Sequence, residues 1–409
     1  MRGLRTSRPA VLASADSDRQ TWVLFPTPQF RLVSLAPFER LKHATRNGPA
    51  VVLRSSSREE SSTVRVTTLG SIITIIIVIV IVNTSLVFSG TLANVNSSQS
   101  TSLTTSISSV VAVNAWSPST LYPTKISTQS CVVASGDVYC IGGLTGTNTV
   151  TGVTAGVYHA RLSSGGVGQW NPSTSYPVGI RETSCVVSGT TIYCIGGYTS
   201  SVISSDVYYA TISASGLGQW TKSTSYPFPV WGQSCAAAST VVYCVGGITG
   251  PRTNTSQVYY APLSSNGVGQ WSSTTTYPVG ILQESCVISG NYIYCIGGLG
   301  ANSVYFARIF PDGVGVWTGT TNYPFPVGPD YPSCVVVGIE VYCVGGYTGP
   351  TISSAIHHAT LSSSGVGVWG TSASYPVGIW AESCVSSNTS IVCIGGATSA
   401  GVIDGVYHS

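Results

Sequence analysis

Charged residues are scarce in this sequence: they make up 8% of its 409 residues, against about a quarter in an average globular protein. The few charges are also unevenly placed. Residues 1–115 hold 11 of the 17 Lys and Arg residues, whereas residues 116–409 carry 6 basic and 9 acidic side chains. A nucleic-acid-binding protein needs a basic stripe that neutralises phosphates, and the C-terminal region has none. We therefore expect no nucleic-acid partner.

The sequence also lacks the short motifs that carry common chemistries. It contains no phosphate-binding loop, no nucleophile elbow and no His-Glu-x-x-His metal helix. Beyond residue 116, apolar residues never recur at helical spacing, which excludes an α-helical core. These absences leave open whether the chain is an enzyme and favour a non-catalytic role. We expect neither a cofactor nor a metal.

No cysteine stands outside a single pattern. The twelve cysteines form six pairs, each enclosing eight residues and each followed by Ile or Val and then Gly-Gly. An even number at one fixed spacing indicates disulfides and an oxidising compartment. A zinc site would need about two to four residues between close ligands and a second ligand pair, which this spacing does not offer. The predicted bridges are Cys131–Cys140, Cys185–Cys194, Cys235–Cys244, Cys286–Cys295, Cys334–Cys343 and Cys384–Cys393.

The cysteine pairs mark an internal repeat. The first cysteines of successive units are 54, 50, 51, 48 and 50 residues apart. In each unit, two β-rich runs flank a small-residue turn and are followed by Gly-Gly, a Val-Tyr-type run, a Gly-Gln-Trp or Gly-Val-Trp segment and a Tyr-Pro connection. Four short strands per repeat, at a period near 50, predict a β-propeller blade.

These residues resemble a known family, the kelch repeat. The resemblance covers residues 116–409 and rests on a Tyr-Cys-Ile-Gly-Gly segment, a Val-Tyr strand and a Trp at recurring offsets. It implies an all-β, six-bladed kelch-like propeller. The paired cysteines and the low charge depart from the usual repeat. Kelch-like enzymes include sialic-acid-processing and copper-oxidase members, but the fold by itself does not imply an activity.

The two ends of the repeat region indicate how the ring closes. The C-terminus stops at Val406-Tyr-His408, a third strand without the Trp segment that follows it in other units. A matching Trp lies before the first cysteine instead. We therefore predict that a strand around 114–116 completes the last blade and removes the open edge. The tryptophans of this series are Trp116, Trp170, Trp220, Trp271, Trp317 and Trp369.

The cysteine spacing also predicts a register. A two-residue turn at Gly189-Thr190 pairs Ser188 with Thr191 and Cys185 with Cys194. Counted from the turn, the cysteines are a non-hydrogen-bonded pair, whose Cα atoms lie about 4.5 Å apart, within the disulfide range. Each bridge would stabilise one blade by about 2–3 kcal/mol in the chain-entropy model.

Three segments precede the repeats. Residues 1–63 are basic and predicted to be disordered, with translation from near Val64 or Val66 as an alternative. Residues 69–88 are uncharged and long enough to span a membrane as a helix, or to serve as a cleaved signal segment. Residues 90–115 are rich in Ser and Thr and predict a stalk.

The basic residues set the expected orientation of that segment. Arg54, Arg58 and Arg65 precede it, and the next basic residue after it is Lys125. The positive-inside rule places the N-terminus in the cytoplasm and the propeller outside a cell membrane, as a single-pass protein. Secretion after cleavage is the alternative. Glycosylation acceptors at Asn96, Asn254 and Asn388 fit an extracellular glycoprotein.

Candidate ligand residues lie just before each first cysteine. Two residues upstream, the units carry Gln129, Thr183, Gln233, Glu284, Pro332 and Glu382. An innermost strand starting there would place them at the channel mouth, where amides and carboxylates suit sugar hydroxyls and aromatic rings suit sugar faces. The alternative is that these groups bond the backbone of neighbouring blades. The candidate set is Gln129, Arg181, Glu182, Trp231, Gln233, Glu284, Tyr331, Trp380 and Glu382.

Three functions follow as hypotheses. The first is a membrane-anchored extracellular propeller that binds a protein or glycan, as in adhesion. The second is a carbohydrate-active or sialic-acid-processing enzyme on the same scaffold, for example with Glu284 and Glu382 as a carboxylate pair. The third is a structural cell-surface protein that self-associates, since little charge opposes contact.

Overall fold

A computed structural model describes residue 113 and residues 115–409, except residues 215, 251–252, 299, 325–331, 348–350 and 388–389. Nearer the N-terminus it describes only the backbone of five short strands. By internal contacts the chain divides into two units, Met1–Ser106 and Ile107–Ser409.

The N-terminal unit contains two small antiparallel sheets. One has three strands, Leu12–Asp16, Arg19–Leu24 and Val51–Arg54, and the other pairs Val80–Val82 with Ser85–Val87. Apart from these strands, the segments predicted as disordered, membrane-spanning and stalk lie outside the described residues. No helix in the described parts of the chain is long and apolar enough to cross a membrane.

The C-terminal unit is a six-bladed β-propeller with one disulfide in every blade. We number the blades one to six in the order of the cysteine pairs. The innermost strand of each blade begins at the serine before the first cysteine. These strands are Ser130–Ala134, Ser184–Ser188, Ser234–Ala238, Ser285–Ser289, Ser333–Val337 and Ser383–Ser386.

The second strand of each blade pairs antiparallel with the first through a tight turn. These strands are Asp137–Ile141, Thr191–Ile195, Val241–Val245, Tyr292–Ile296, Glu340–Val344 and Ile391–Ile394. The third strand follows the Gly-Gly loop and pairs with the second. The third strands are Val157–Ser163, Val207–Ser213, Val258–Ser264, Val304–Phe310, Ile356–Ser362 and Val406–His408.

The fourth strand of each blade is only two residues long and pairs with the third. These strands are Asn171–Pro172, Thr221–Lys222, Ser272–Ser273, Thr318–Gly319, Gly370–Thr371 and, in blade six, Ser117–Pro118. Five third strands also fold back on a short strand, at Gly166–Val167, Gly216–Leu217, Gly267–Val268, Gly313–Val314 and Gly365–Val366. In blade six, the loop between the second and third strands forms a hairpin of Ala397–Thr398 and Gly401–Val402.

The predicted cysteine register is confirmed. Ser188 lies opposite Thr191 and Cys185 opposite Cys194, as the two-residue turn requires. All six predicted bridges are present, each with its Cα atoms 4.0 Å apart. Because every bridge joins the first two strands of one blade, each disulfide stabilises its own blade and none connects one blade to another.

The N-terminal strand closes the ring, but it begins just after the segment predicted to form it. Ser117–Pro118, rather than residues 114–116, pairs with Val406–His408 as the fourth strand of blade six. The Trp116 ring meets Tyr375 edge to face, 4.9 Å between centroids. The tryptophan therefore packs into the seam, and the two residues after it form the strand.

The hydrophobic core lies between blades. Each buried cluster draws on two neighbouring blades; one joins Ile126 and Cys131 of blade one to Val392 and Val406 of blade six. In every seam the Tyr of the Tyr-Pro connection meets a tryptophan edge to face at 4.9–5.0 Å. Such aromatic pairs add to the area they bury. The seams between blades, rather than the blades themselves, therefore carry the packing that closes the ring.

Candidate ligand-binding cup at the channel mouth

A ring of serines lines the channel. Each innermost strand has an open edge, and its first cysteine, in a non-hydrogen-bonded pair, turns its N–H away from the second strand. In every blade this N–H donates to the Oγ of the serine that begins the innermost strand of the preceding blade, at 2.8–3.1 Å. The accepting serines are Ser130, Ser184, Ser234, Ser285, Ser333 and Ser383. Sequence analysis missed this ring, although a serine precedes the first cysteine in all six units.

Removing one serine of this ring should weaken a seam. In Ser234→Ala, the Cys286 N–H loses the acceptor that lies 2.9 Å away. We expect the free energy of unfolding to fall by about 1–3 kcal/mol, the usual effect of leaving a backbone donor without its partner. Urea unfolding measures the change. Ser273→Ala, at an exposed serine on the outer strand of blade three, is the control and should change it by less than about 0.5 kcal/mol.

A second ring, made of backbone, forms the rim of the channel mouth. The residues three positions before the first cysteine have left-handed backbone, with φ of 51–64°. Each donates its N–H to the carbonyl of its counterpart in the preceding blade, at 2.8–3.3 Å, in the four junctions that the structure describes. The rim residues are Thr128, Glu182, Gly232, Gln283 and Ala381; their counterpart in blade five, Tyr331, lies outside the described residues. Left-handed backbone is unfavourable for residues other than glycine, so strain is concentrated at this mouth.

Inside the rim lies a cavity of about 140 Å³, which we call the cup. Its lining combines carboxyl, amide and hydroxyl groups and contains no Lys, Arg or His among the described residues. The lining residues are Thr128, Gln129, Glu182, Thr183, Gly232, Gln233, Gln283, Glu284, Pro332, Ala381 and Glu382. The cup is therefore polar and, in its described part, free of positive charge.

The glutamines of the cup are bonded to backbone. Gln129 donates from Nε2 to the Ile394 carbonyl of blade six, and Gln233 donates to the Ile195 carbonyl of blade two, each at 2.7 Å. Thr183 also donates to Ile195, at 3.2 Å. The Oε1 atoms of both glutamines are buried and have no hydrogen-bond partner in the described part of the chain. The glutamines thus link neighbouring blades, as the alternative interpretation of these residues held, and leave acceptors unused.

Two carboxyl groups are buried in the same layer. Glu284 and Glu382 are 6% and 7% exposed, and none of their side-chain oxygens has a hydrogen-bond partner among the residues that the structure describes. Burial raises the pKa of each to about 8. For Glu284, backbone groups of its own residue and of Ser234 oppose this rise in pKa in part. The raised pKa favours the neutral acid over the carboxylate at both positions.

The third carboxyl of the cup, Glu182, is differently placed. It forms an ion pair with Arg181, and its Oε2 accepts a 3.5 Å hydrogen bond from Gln283 across the rim. The Arg181 guanidinium lies 4.7 Å from the centre of the Tyr198 ring and 5.7 Å from that of Trp231. Within the described residues, no cluster of three or more His, Cys, Asp or Glu side chains could hold a metal ion.

The structure brings together five of the nine candidate residues. Gln129, Glu182, Gln233, Glu284 and Glu382 all line the cup. Three others lie outside its lining. The candidates outside the lining are Arg181, Trp231, whose ring packs 5.9 Å from that of Tyr198, and Trp380, whose ring packs 5.5 Å from that of Tyr347. The ninth, Tyr331, is not among the described residues.

Comparisons with known proteins support the fold alone. No protein-family model matches the chain, and no curated protein matches it. Among solved structures it is similar to one titled "Structure of YjhT", with 16% sequence identity and a TM-score of 0.56. The similarity covers 70% of this chain and 95% of that one. At this identity, the similarity says nothing about activity.

Proposed function

We propose that this protein is a membrane-anchored, extracellular, kelch-like propeller that binds a neutral glycan at the cup. The composition of the cup carries this proposal: amide, hydroxyl and carboxyl groups converge on one cavity at the channel mouth. The Oε1 atoms of Gln129 and Gln233 are acceptors to which no described residue donates. Sugar hydroxyls both donate and accept, so a neutral sugar matches this lining better than an apolar ligand does.

Charge narrows the class of glycan. The described lining holds three carboxyl groups and no cationic side chain, and Arg181 is already paired with Glu182. An anionic sugar would bring a carboxylate next to these groups without a cation to pair with it. This argues against sialic acids and therefore against a sialic-acid-processing activity at the cup.

A glycan array probed with the full-length protein and two tryptophan variants tests the proposal. Gln283→Trp fills the rim, whereas Gln219→Trp makes the same change at an exposed residue of the outer wall. We expect neutral glycans to be bound by the wild type and by Gln219→Trp, and bound at least about tenfold more weakly by Gln283→Trp, a loss of about 1.4 kcal/mol. Equal binding by all three proteins, or binding of anionic glycans only, would contradict it. Binding of a protein but of no glycan would mean that the ligand is a protein.

A second function is favoured by one observation. Glycoside hydrolysis needs a protonated and an ionised carboxyl, and the cup places Glu284 and Glu382, with pKa raised to about 8, in one lining with an ion-paired Glu182. Hydrolysis of chromogenic glycosides, abolished in Glu182→Gln, would show this activity. Binding without turnover would exclude it.

Location and assembly are part of the same proposal. Support for an extracellular site comes from the six disulfides, and support for a single membrane span comes from the charge asymmetry around residues 69–88. Self-association is supported by Val316 and Val368, which are 81% and 89% exposed. The equivalent residues of the first three blades are Gln169, Gln219 and Gln270. Kelch membership rests on the recurring Gly-Gly, Tyr and Trp positions.

A further inference from the structure

The position two residues before each first cysteine occupies one kind of site in every blade. Its side chain reaches toward the Gly-Gly segment of the preceding blade. In blades one and three the residue is glutamine, and its Nε2 donates to the carbonyl of the residue just before Gly-Gly, Ile394 or Ile195. In blades four and six the residue is glutamate. Glu284 and Glu382 therefore stand where glutamines link the other blades.

The glycines show that the glutamate oxygens take the place of the amide nitrogens. A β-carbon placed on Gly395 would lie 3.1 Å from Gln129 Nε2, and one on Gly196 would lie 3.0 Å from Gln233 Nε2. The equivalent distances are 2.9 Å from Gly246 to Glu284 Oε1 and 3.2 Å from Gly345 to Glu382 Oε1. The carboxyl oxygen thus faces the position at which glutamine donates to a carbonyl.

An ionised carboxylate is unfavourable at this position. The residues before Gly246 and Gly345 are Val245 and Val344, and their carbonyls correspond to the acceptors of Gln129 and Gln233. Two acceptors facing each other repel, whereas a neutral acid has one O–H to donate. We propose that Glu284 and Glu382 are protonated at neutral pH and donate hydrogen bonds to the Val245 and Val344 carbonyls, so that two of the six seams depend on bound protons.

Among the described residues, no cationic side chain acts on these two carboxyls. Glu284 faces the buried phenols of Tyr226 and Tyr277, and Glu382 faces those of Tyr323 and Tyr375. Burial raises the pKa of all four phenols, so they stay neutral. The third carboxyl of the cup, Glu182, is paired with Arg181, which lies outside the lining. Burial without a cation raises the pKa of both carboxyls to about 8, in agreement with the geometry.

The sign of the pH dependence follows from linkage. An unfolded glutamate titrates near about 4.3, and the folded pKa of these two groups is about 8. Between these values the folded state holds a proton that the unfolded state has lost. The contribution of these two groups to the free energy of unfolding therefore falls as pH rises from about 4.5 to about 8 and stays constant above that. Glutamine makes the same hydrogen bond without titrating, so a variant with glutamine at these positions lacks this pH dependence.

Thermal unfolding of the full-length protein from pH 5 to pH 9 tests the proposal with four variants. Glu284→Gln and Glu382→Gln should match the wild-type Tm near pH 5 and exceed it increasingly up to pH 8, by on the order of 5–10 °C. Gln233→Glu should lose stability over the same range. Gln219→Glu adds a glutamate at an exposed residue of the outer wall and is the control; a surface carboxylate stays ionised over this range, so its Tm difference from the wild type should not change with pH.

Carboxyl ¹³C NMR gives a second readout that does not depend on stability. The chain has only seven glutamates, so their resonances can be assigned by substitution. We expect two signals at the protonated position at pH 6.5 that titrate near pH 8, one absent in Glu284→Gln and the other in Glu382→Gln. Ionised signals for both residues at pH 6.5, or a Tm difference that does not change with pH, would overturn the proposal.

Discussion

Gly395→Ala should lower the free energy of unfolding by about 3–5 kcal/mol. Gly395 has a φ of +62°, which costs an alanine about 1–2 kcal/mol. The added β-carbon would also lie 2.4 Å from the Ile126 carbonyl oxygen, at the seam where blade six meets blade one. The neighbouring Gly396 N–H donates to that same oxygen at 2.7 Å. Relief of the clash would therefore disturb the seam that closes the ring.

Gly189→Ala separates the clash from the backbone strain. Gly189 has nearly the same φ, +60°, but a β-carbon there would meet no atom within 4 Å. It should cost only about 1–2 kcal/mol. Chemical unfolding of both variants measures the difference. Equal losses would mean that the close approach between blades six and one does not exist.

Reduction of the disulfides should unfold the propeller at room temperature. Each bridge closes a loop of about ten residues and stabilises by roughly 2–3 kcal/mol in the chain-entropy model. All six are buried within their hairpins. If their effects add, the loss of about 12–18 kcal/mol is comparable to or larger than the roughly 5–15 kcal/mol stability of a typical domain. Circular dichroism before and after complete reduction, verified by mass spectrometry of alkylated thiols, measures this outcome.

Removing a single bridge is the graded control. Cys185→Ala with Cys194→Ala should cost about 2–5 kcal/mol and leave the propeller folded. The bridge lies within blade two, so the effect on its neighbours should be small. An unchanged Tm after complete reduction would show that the bridges do not stabilise the fold.

Much of the fold could be predicted because it follows from local rules. A two-residue turn fixes which residues face each other, so the Cys185–Cys194 register came from counting. The unpaired third strand at Val406–His408 required a partner, and the early Trp116 located it to within a few residues. Both arguments use only the period of a strand and the need to satisfy its edge.

The sequence predicted where several residues of the cup lie but not what their side chains contact. The positions of Gln129, Gln233, Glu284 and Glu382 at the channel mouth were predicted, because they precede the innermost strands. The direction in which their side chains point was not predicted, since it depends on contacts with the preceding blade. Trp231 and Trp380 were expected beside them, but each ring packs instead against the tyrosine that follows Gly-Gly in the preceding blade.

The left-handed backbone of the rim could not be predicted from sequence either. Glycine occupies it only at Gly232, while Thr128, Glu182, Gln283 and Ala381 adopt the same backbone without that preference. The ring of bonds between blades holds them there. Such strain is found where tertiary structure overrides local preference, often at functional sites.

The placement of the ligand at the cup is the central claim, and amide chemical-shift mapping tests it most directly. A neutral sugar selected on the array would be titrated into the isotope-labelled protein. We expect shifts at the rim residues Glu182, Gly232 and Gln283. We expect none at Gly189 and Gly290, in the hairpin turns of the innermost strands. Shifts confined to those turns, or to the exposed wall around Val316 and Val368, would contradict the account.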